Sequence, residues 1–275
     1  MSHRWKIVFS TIAAALLFGA PPSHALDFSP DPAVKGRQIT EETERRNKGF
    51  GDTQAEITMM LKSATGEVSE RELRMRSLEE PENDLGDKSL IVFDRPKDVE
   101  GTTLLTHTNI LNPDDQWIYL PSVARVKRIS SANKSGPFLG SEFAYEDLTA
   151  LEVGKYSYLW LRDEACPAPL GERTCHVVER HPLYENSGYA RQIAWSDDTD
   201  FQLRKVEFYN RQNALLKTLT LGDYRLYLGK FWRAQDLMME NHITGKSTRL
   251  IWQKIEFQTG LARGDFDESA LERLR

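Results

Sequence analysis

Residue types that often carry catalysis are present in this sequence, but they do not stand in the spacings of catalytic motifs. Ser131 and Lys134 fit the Ser-x-x-Lys pattern of a serine nucleophile with a lysine base, yet no Ser-Asp-Asn or Lys-Thr-Gly motif accompanies them. Gly245-Lys246-Ser247 ends like a phosphate-binding loop, but Glu240 stands where such a loop requires its first glycine. No His-Glu-x-x-His motif is present either. We therefore expect a protein that is not an enzyme.

The two cysteines allow two kinds of chemistry. Cys166 and Cys175 close a ten-residue loop that contains two prolines and a glycine. In an oxidising compartment the simplest interpretation is a disulfide that joins the two sides of a hairpin, which would add about 2–3 kcal/mol of stability. The alternative is a metal site that also uses His176 and His181. This spacing matches no standard zinc pattern, so the sequence predicts no metal or other cofactor.

Arg125, Lys127 and Arg128 form the one dense basic cluster. Its two interpretations are a solvated strand face and a contact for an anionic head group or an acidic partner. The chain as a whole has 36 Lys and Arg against 41 Asp and Glu, a formal net charge of -5. That balance argues against a dedicated nucleic-acid binder, and the aromatic content of 10% argues against disorder.

Met1–Ala25 has the pattern of a cleavable export signal. Arg4 and Lys6 precede an apolar run, Ile7–Ala20, and small residues stand before the expected cleavage site after Ala25. The run is shorter than the roughly 20 residues of a transmembrane helix, so an uncleaved anchor is the less favoured alternative. We expect export to the periplasm and a single domain over residues 26–275.

The exported part should begin with a helix and continue as strands. Ala33–Lys48 is a charged amphipathic run with a thin apolar stripe. After it, apolar and polar residues alternate with period two, starting with a hairpin that turns at Ala64-Thr65-Gly66. Further strands are predicted at Leu90–Phe93, Thr102–Asn109, Trp117–Pro121, Arg125–Ser130, Tyr156–Arg162, Thr174–Arg180, Ala190–Trp195, Leu203–Asn210, Leu215–Leu228, Phe231–Ile243 and Ser247–Phe257.

This arrangement favours one fold class. No strand–helix–strand repeat is present, so we expect an antiparallel, mainly β structure. Gly136–Leu151 interrupts the strand pattern, with a helical turn over Phe143–Leu148, and Asp267–Arg275 is predicted as a short C-terminal helix.

Several predicted strands are apolar on both faces, which a sheet with one wet face would not need. Either a second layer covers the sheet, or one face lines an apolar cavity beneath helical elements. The candidate cavity residues are large apolar or aromatic side chains: Met59, Leu73, Trp117, Tyr119, Tyr158, Trp160 and Trp252.

Five stretches of sequence carry a resemblance to a known family: Gly49–Asp52, Asp94–Pro96, Asp115–Pro121, Arg125–Ile129 and Gly140–Leu148. With them the chain resembles the LolA-like outer-membrane lipoprotein-sorting proteins over essentially all of residues 26–275. The part from Trp-Ile-Tyr-Leu-Pro to Tyr-Glu-Asp-Leu is the most specific.

The resemblance implies a curved antiparallel sheet, an incomplete β-barrel whose mouth is covered by short helices over an apolar cavity. It implies a periplasmic carrier that shields acyl chains of lipoproteins or lipids between an inner-membrane exporter and an outer-membrane acceptor, without catalysis. In family carriers an arginine of an Arg-Pro pair holds the lid, and Arg95 occupies the matching position. The alternative is a periplasmic signalling module that uses a similar sheet to bind a protein partner.

Overall fold

The computed structural model describes residues 26–80 and 85–271. The expected export signal, Met1–Ala25, lies outside these residues. The architecture is mainly β: one sheet of 13 antiparallel strands curves without closing, and one α-helix, α1 (Pro32–Asn47), packs on its concave side. The fold class expected from the sequence is thereby confirmed. No helix in the described ranges is long and apolar enough to span a membrane.

The strands follow one another in the sheet almost as they do along the chain. Their spatial order is β6-β5-β4-β3-β2-β1-β13-β12-β11-β10-β9-β8-β7, so β6 and β7 are opposite edges although they are consecutive in sequence. Their bounds are β1 (Asp52–Lys62), β2 (Val68–Leu78), β3 (Leu85–Arg95), β4 (Thr103–Asn109), β5 (Asp115–Leu120), β6 (Arg125–Arg128), β7 (Tyr156–Ala165), β8 (Thr174–Pro182), β9 (Tyr189–Asp197), β10 (Leu203–Asn210), β11 (Leu215–Tyr227), β12 (Phe231–Asn241) and β13 (Ser247–Phe257).

Helix α1 begins where its local sequence predicts. The side chain of Asp31 accepts hydrogen bonds from the backbone N–H groups of Ala33 and Val34 at 2.9 and 3.0 Å, and Pro32 occupies the first turn, where a missing N–H costs nothing. Gly36 faces β7 so closely that a Cβ there would lie 2.7 Å from the backbone nitrogen of Trp160. A glycine at this position therefore sets how near the helix lies to the sheet.

Residues 129–155, here called the crossing segment, connect β6 to β7 and therefore run from one edge of the sheet to the other across its concave side. The segment contains short 3-10 turns rather than an α-helix. The predicted helical turn Phe143–Leu148 is a 3-10 turn at Tyr145–Leu148. Phe138 and Phe143 are buried against the concave apolar cluster of the strands.

The two faces of the sheet have separate apolar clusters, which explains the strands that are apolar on both sides. The concave cluster includes residues of ten strands, among them Ile57, Leu73 and Leu250. The convex face has one cluster around Leu90 and Leu105 and another around the cysteines.

The described part of the C-terminal helix predicted at Asp267–Arg275 is not α-helical. The chain forms 3-10 turns at Arg263–Phe266 and Glu268–Ala270, and residues beyond 271 lie outside the described part. Phe266 and Leu271 are both buried on the convex cluster. Phe266 lies just before the predicted helix and Leu271 within it, so the chain is held on the sheet at both residues and a short 3-10 turn connects them.

The disulfide prediction is confirmed. Cys166 and Cys175 are bonded, with a Cα–Cα distance of 4.9 Å, and they join the end of β7 to the start of β8. Both cysteines are buried with Val177 and Trp195 on the convex side. The bonded sulfurs are not available as thiolates, which excludes the alternative of a metal site on these two residues.

Candidate functional site

Two adjoining cavities lie between the concave face of the sheet and the elements that cover it. The central cavity has a volume of about 290 Å³, and the helix-side cavity, next to α1, has about 380 Å³. They share four lining residues: Met75, Ser77, Leu237 and Trp252. Together they form one groove within the roughly 300–1,000 Å³ range of small-molecule sites.

The central cavity is lined by apolar side chains from the middle of the sheet and from the crossing segment. Leu148 contributes to it from the 3-10 turn at Tyr145–Leu148. The other apolar lining residues are Phe50, Ile57, Met59, Leu73, Met75, Ile91, Phe138, Phe143, Ala150, Leu237, Leu250 and Trp252. A wall of this composition suits hydrocarbon rather than a polar ligand.

The sequence-predicted cavity residues fall into three places. Met59, Leu73 and Trp252 line the central cavity. Tyr158 and Trp160 face the concave side but lie beneath α1, where Tyr158 is in one cluster with Ile39.

The remaining two aromatic residues of that set are on the opposite face. Trp117 and Tyr119 pack with Phe266 and Leu271 on the convex cluster, away from the groove. The alternation of β5 predicts that the strand has two apolar faces, but it does not say which one is concave.

The crossing segment is fixed at its 3-10 turn by a buried carboxylate. Glu146 accepts hydrogen bonds from the backbone N–H of Gly188 at 2.8 Å, from the Ser187 hydroxyl at 2.9 Å and from the Tyr184 hydroxyl at 3.2 Å. Burial raises the pKa of Glu146 above its usual range. Three donors from the loop before β9 thus attach the segment to the sheet.

Asp147 makes a second buried attachment. The ammonium group of Lys217, on β11, lies 2.6 Å from its carboxylate, and both side chains are only 5–6% exposed. Lys217 also donates to the Glu142 carbonyl at 2.9 Å, and the Tyr189 hydroxyl donates to Asp147 at 2.7 Å. The Tyr-Glu-Asp-Leu motif therefore has a structural explanation, since its two carboxylates bind the segment to the sheet.

An arginine does hold the crossing segment, at a position that the sequence analysis did not select. Arg71 on β2 donates a hydrogen bond to the Leu139 carbonyl at 2.8 Å, and its guanidinium lies 5.9 Å from the Phe93 ring centroid. Burial lowers the pKa of Arg71. The signal in the sequence was an arginine on the same strand face as Leu73 and Met75.

Arg95, the residue expected at the lid, lies at the end of β3. Its side chain is 75% exposed and forms an ion pair with Glu72 at 3.4 Å. Within the described part of the chain it makes no hydrogen bond or ion pair to the crossing segment. A role for Arg95 in gating stays a prediction.

The basic cluster lies on the edge strand β6. Arg125 and Lys127 are exposed, and Arg128 forms an ion pair with Asp115 of the neighbouring strand. This arrangement leaves two cations at the rim of the sheet, and their contact with an anionic partner stays a prediction.

A group of carboxylates lies where α1, β3 and the crossing segment come together. Burial raises the pKa of Asp87 to about 6 and that of Glu152 to about 7. Repulsion from Glu79 and Glu44 adds to the shift of Asp87, and repulsion from Glu44 and Asp87 adds to that of Glu152. Lys48 and Lys155 oppose the shift of Glu152. Asp87 also lines the central cavity. This end of the cavity therefore changes charge near neutral pH.

No group of three or more metal-ligating side chains occurs among the described residues. The histidines have other partners: His176 lies 2.6 Å from Asp163, and His107 lies 2.7 Å from the Phe266 carbonyl.

Comparison with solved structures places this architecture among known ones. A domain assigned to the outer membrane lipoprotein-sorting proteins, from Vibrio parahaemolyticus, is 48% identical with a TM-score of 0.83, and the match covers 88% of this chain and 100% of that one. A DUF1329 family protein from Desulfovibrio piger is 28% identical with a TM-score of 0.81, covering 88% and 99%. A LolA superfamily protein from Nitrosomonas europaea shares the fold at 20% identity and a TM-score of 0.66, covering 86% and 98%.

A family model with the description "uncharacterized protein" matches residues 86–273. No curated protein matches the sequence.

Proposed function

The chain belongs to the outer membrane lipoprotein-sorting protein family, and we propose that it is a periplasmic carrier that shields acyl chains of lipoproteins or lipids between the inner and outer membranes. The carrier does not catalyse a reaction. Its donor is an inner-membrane exporter and its acceptor is an outer-membrane component.

The observation that supports this proposal best is the apolar groove between the concave face and the crossing segment. Its central cavity is walled by side chains such as Ile57, Met59 and Leu250. Each acyl CH₂ withdrawn from water contributes about 0.8 kcal/mol, so a long chain does not cross an aqueous compartment unshielded at a useful rate. A groove with this wall provides the shielding.

A carrier must also release its cargo, so its covers must be able to part from the sheet. The hydrogen bond from Arg71 to the Leu139 carbonyl suits this requirement, because a guanidinium has five donors and exchanges one acceptor for another. The crossing segment near Leu139 can thus be freed without leaving a donor on Arg71 permanently unpaired.

The proposal is tested by binding of cis-parinaric acid, a fluorescent fatty acid, to the purified protein, with displacement by phospholipid. We expect saturable fluorescence that phospholipid reverses. Absence of saturable binding contradicts the proposal.

A matched pair of variants places the binding site. Ala150 is exposed at the wall of the central cavity, and Ala150→Trp should fill the cavity and abolish most of the fluorescence signal. Ala214→Trp puts the same ring on an exposed turn outside both cavities and should leave binding unchanged. Equal binding of cis-parinaric acid by the two variants would mean that the probe does not bind in the central cavity.

A further inference from the structure

The helix-side cavity contains an arginine that forms no ion pair within the described part of the chain. Arg233 lies on β12 and lines this cavity beside Asn47 of α1 and Tyr224 of β11. Its Nη1 donates to the Asn47 side-chain oxygen and to the Trp232 carbonyl, each at 2.9 Å. Both acceptors are neutral groups.

No carboxylate in residues 26–80 or 85–271 lies within 4.0 Å of the Arg233 guanidinium. Burial lowers the pKa of Arg233, but a guanidinium stays charged in proteins. Arg204 of β10, whose guanidinium lies 4.3 Å from the ring centroid of Tyr224, differs in this respect, because it lies 2.7 Å from the Asp200 carboxylate. The carboxylates of Glu79 and Asp87 act on Arg233 from beyond ion-pair distance and stabilise its charge only in part. A largely desolvated cation without an anion in contact is costly, which makes the site attractive to a negative ligand.

The bonding pattern also leaves the binding edge of the guanidinium open. Both of its hydrogen bonds use Nη1, and in the described part of the chain Nε and Nη2 make none. The Nε–Nη2 edge is a fork that accepts a carboxylate or phosphate in two parallel hydrogen bonds. The rings of Phe50, Phe231 and Phe257 lie 5.5–5.6 Å from the guanidinium and restrict its movement.

The cavity becomes apolar away from this residue. Leu221, Leu237 and Trp252 line it, and Leu237 and Trp252 continue into the central cavity. A ligand with an anionic head at Arg233 can therefore place a hydrocarbon tail along the groove.

We infer that the groove is built for an anionic amphiphile, whose carboxylate or phosphate head binds the open edge of Arg233 while its acyl chain lies toward the central cavity. This inference rests on the proposed carrier function and makes it more specific. A neutral lipid head would not use the arginine, so the cargo is a free anionic lipid.

The test compares ligands of one chain length on the full protein by isothermal titration calorimetry at pH 8. The probes are dodecanoate, dodecyl phosphate and the uncharged dodecan-1-ol. We expect at least one anion to bind about tenfold or more tightly than the alcohol, since hydrogen bonds to a charged group are the strong ones. The tighter of the two anions identifies the head as carboxylate or phosphate.

Three substitutions then test whether the preference for an anionic head depends on Arg233. Arg233→Met should reduce anion binding to the level of the alcohol and leave alcohol binding unchanged. Arg225, directly opposite Arg233 on β11, is exposed and already paired with Asp223 at 3.2 Å, so Arg225→Met should keep the wild-type preference. Arg233→Lys keeps the positive charge but not the two parallel donors, and it should retain part of the preference for the anions over the alcohol. Thermal unfolding checks that each variant is folded.

The outcomes separate the two proposals. Equal affinity of the wild-type protein for the alcohol and both anions overturns the inference without any variant and leaves the carrier proposal standing. A preference that survives Arg233→Met also overturns it. Failure of all three amphiphiles to bind would overturn the carrier proposal and the inference together.

Discussion

The two elements that cover the concave face are attached to it in different ways. The crossing segment is held through its carboxylates, Glu146 by donors from the loop before β9 and Asp147 by Lys217 of β11. Helix α1 lies on β7 through the close approach at Gly36 and the buried side chain of Ile39, and the ammonium group of Lys35 lies 3.7 Å from the Trp160 ring centroid.

The difference concerns what must be broken when each cover moves. Lifting the crossing segment as a whole would break the ion pair between Lys217 and Asp147 and the three hydrogen bonds to Glu146 together. Lifting α1 exposes apolar surface and breaks contacts at its C-terminal end. There the helix joins β1 through Gly49 and Gly51, whose φ angles of 90° and 78° are strained for other residues. We therefore expect α1 to be the more movable cover.

The largest effect should come from breaking the buried ion pair. Lys217→Met leaves the Asp147 carboxylate buried without its cation, and we expect a loss of about 3–5 kcal/mol in the free energy of unfolding, measured in urea. Lys254→Met is the control, because Lys254 and Glu256 form an exposed pair and the change should be within about 0.5 kcal/mol. Similar urea midpoints for the two variants would show that the segment is not held by this pair.

A smaller effect is expected from forcing α1 away from the sheet. Gly36→Val places atoms against the Trp160 backbone and should cost about 1–3 kcal/mol by overpacking. In hydrogen-exchange mass spectrometry the amides of α1 should exchange faster, while those of residues 129–155 should not change. Arg37→Val, on the exposed side of the same helix, should show neither effect. Faster exchange in both covers would mean that they move as one.

The carboxylates of Asp87 and Glu152, between the two covers, predict that the stability of the folded protein depends on pH. The raised pKa values, about 6 for Asp87 and about 7 for Glu152, mean that the folded protein binds these protons more tightly than the unfolded chain does. Their contribution to stability is present below the unfolded values of 3.8 and 4.5 and is lost as the pH rises through 6 to 7.

Urea unfolding at pH 5 and pH 8 measures this dependence. We expect the unfolding free energy contributed by these groups to be about 1–2 kcal/mol larger at pH 5. Glu152→Gln should remove most of the difference, and Glu240→Gln, a substitution at an exposed carboxylate of β12, should not. If the wild-type protein were instead more stable at pH 8 than at pH 5, and Glu152→Gln abolished that difference, the raised pKa of Glu152 would be contradicted.

The smallest effect should come from the arginine at the crossing segment. Arg71→Met removes the hydrogen bond to the Leu139 carbonyl and should cost about 1 kcal/mol. If that bond holds the cover closed, release of cis-parinaric acid in stopped flow should become about fivefold faster. Arg95→Met should release the probe at the wild-type rate, because Arg95 contacts Glu72 and not the segment. Faster release from Arg95→Met together with wild-type release from Arg71→Met would indicate that Arg95, not Arg71, holds the cover closed.

Local regularities of the sequence predict most of the strands. Ser247–Phe257 and Leu203–Asn210 have the predicted bounds, and α1 differs from its prediction by one residue at each end. The disulfide is also predictable, because Cys166 and Cys175 are close in sequence and their loop turns between adjacent strands. These features depend on neighbours along the chain.

The site depends on contacts that local patterns do not contain. Lys217 and Asp147 are 70 positions apart, and Arg71 and Leu139 are 68 apart. Period-two alternation placed Trp117 and Ile118 on opposite faces correctly, but only the curvature of the whole sheet decides that Ile118 faces inward. Arg233 gave no signal, because an arginine in a strand of mixed polarity is ordinary until its surroundings are known.

The crossing segment, residues 129–155, connects the two edges of the curved sheet, and this connection has a mechanical consequence. The segment spans the opening of the curved sheet, and its two ends are attached to the edge strands β6 and β7. A bulky ligand that moves the two edge strands apart must extend the crossing segment, and a less extended segment lets the edge strands approach each other. For the proposed carrier, the width of the cargo and the extension of the crossing segment are therefore coupled.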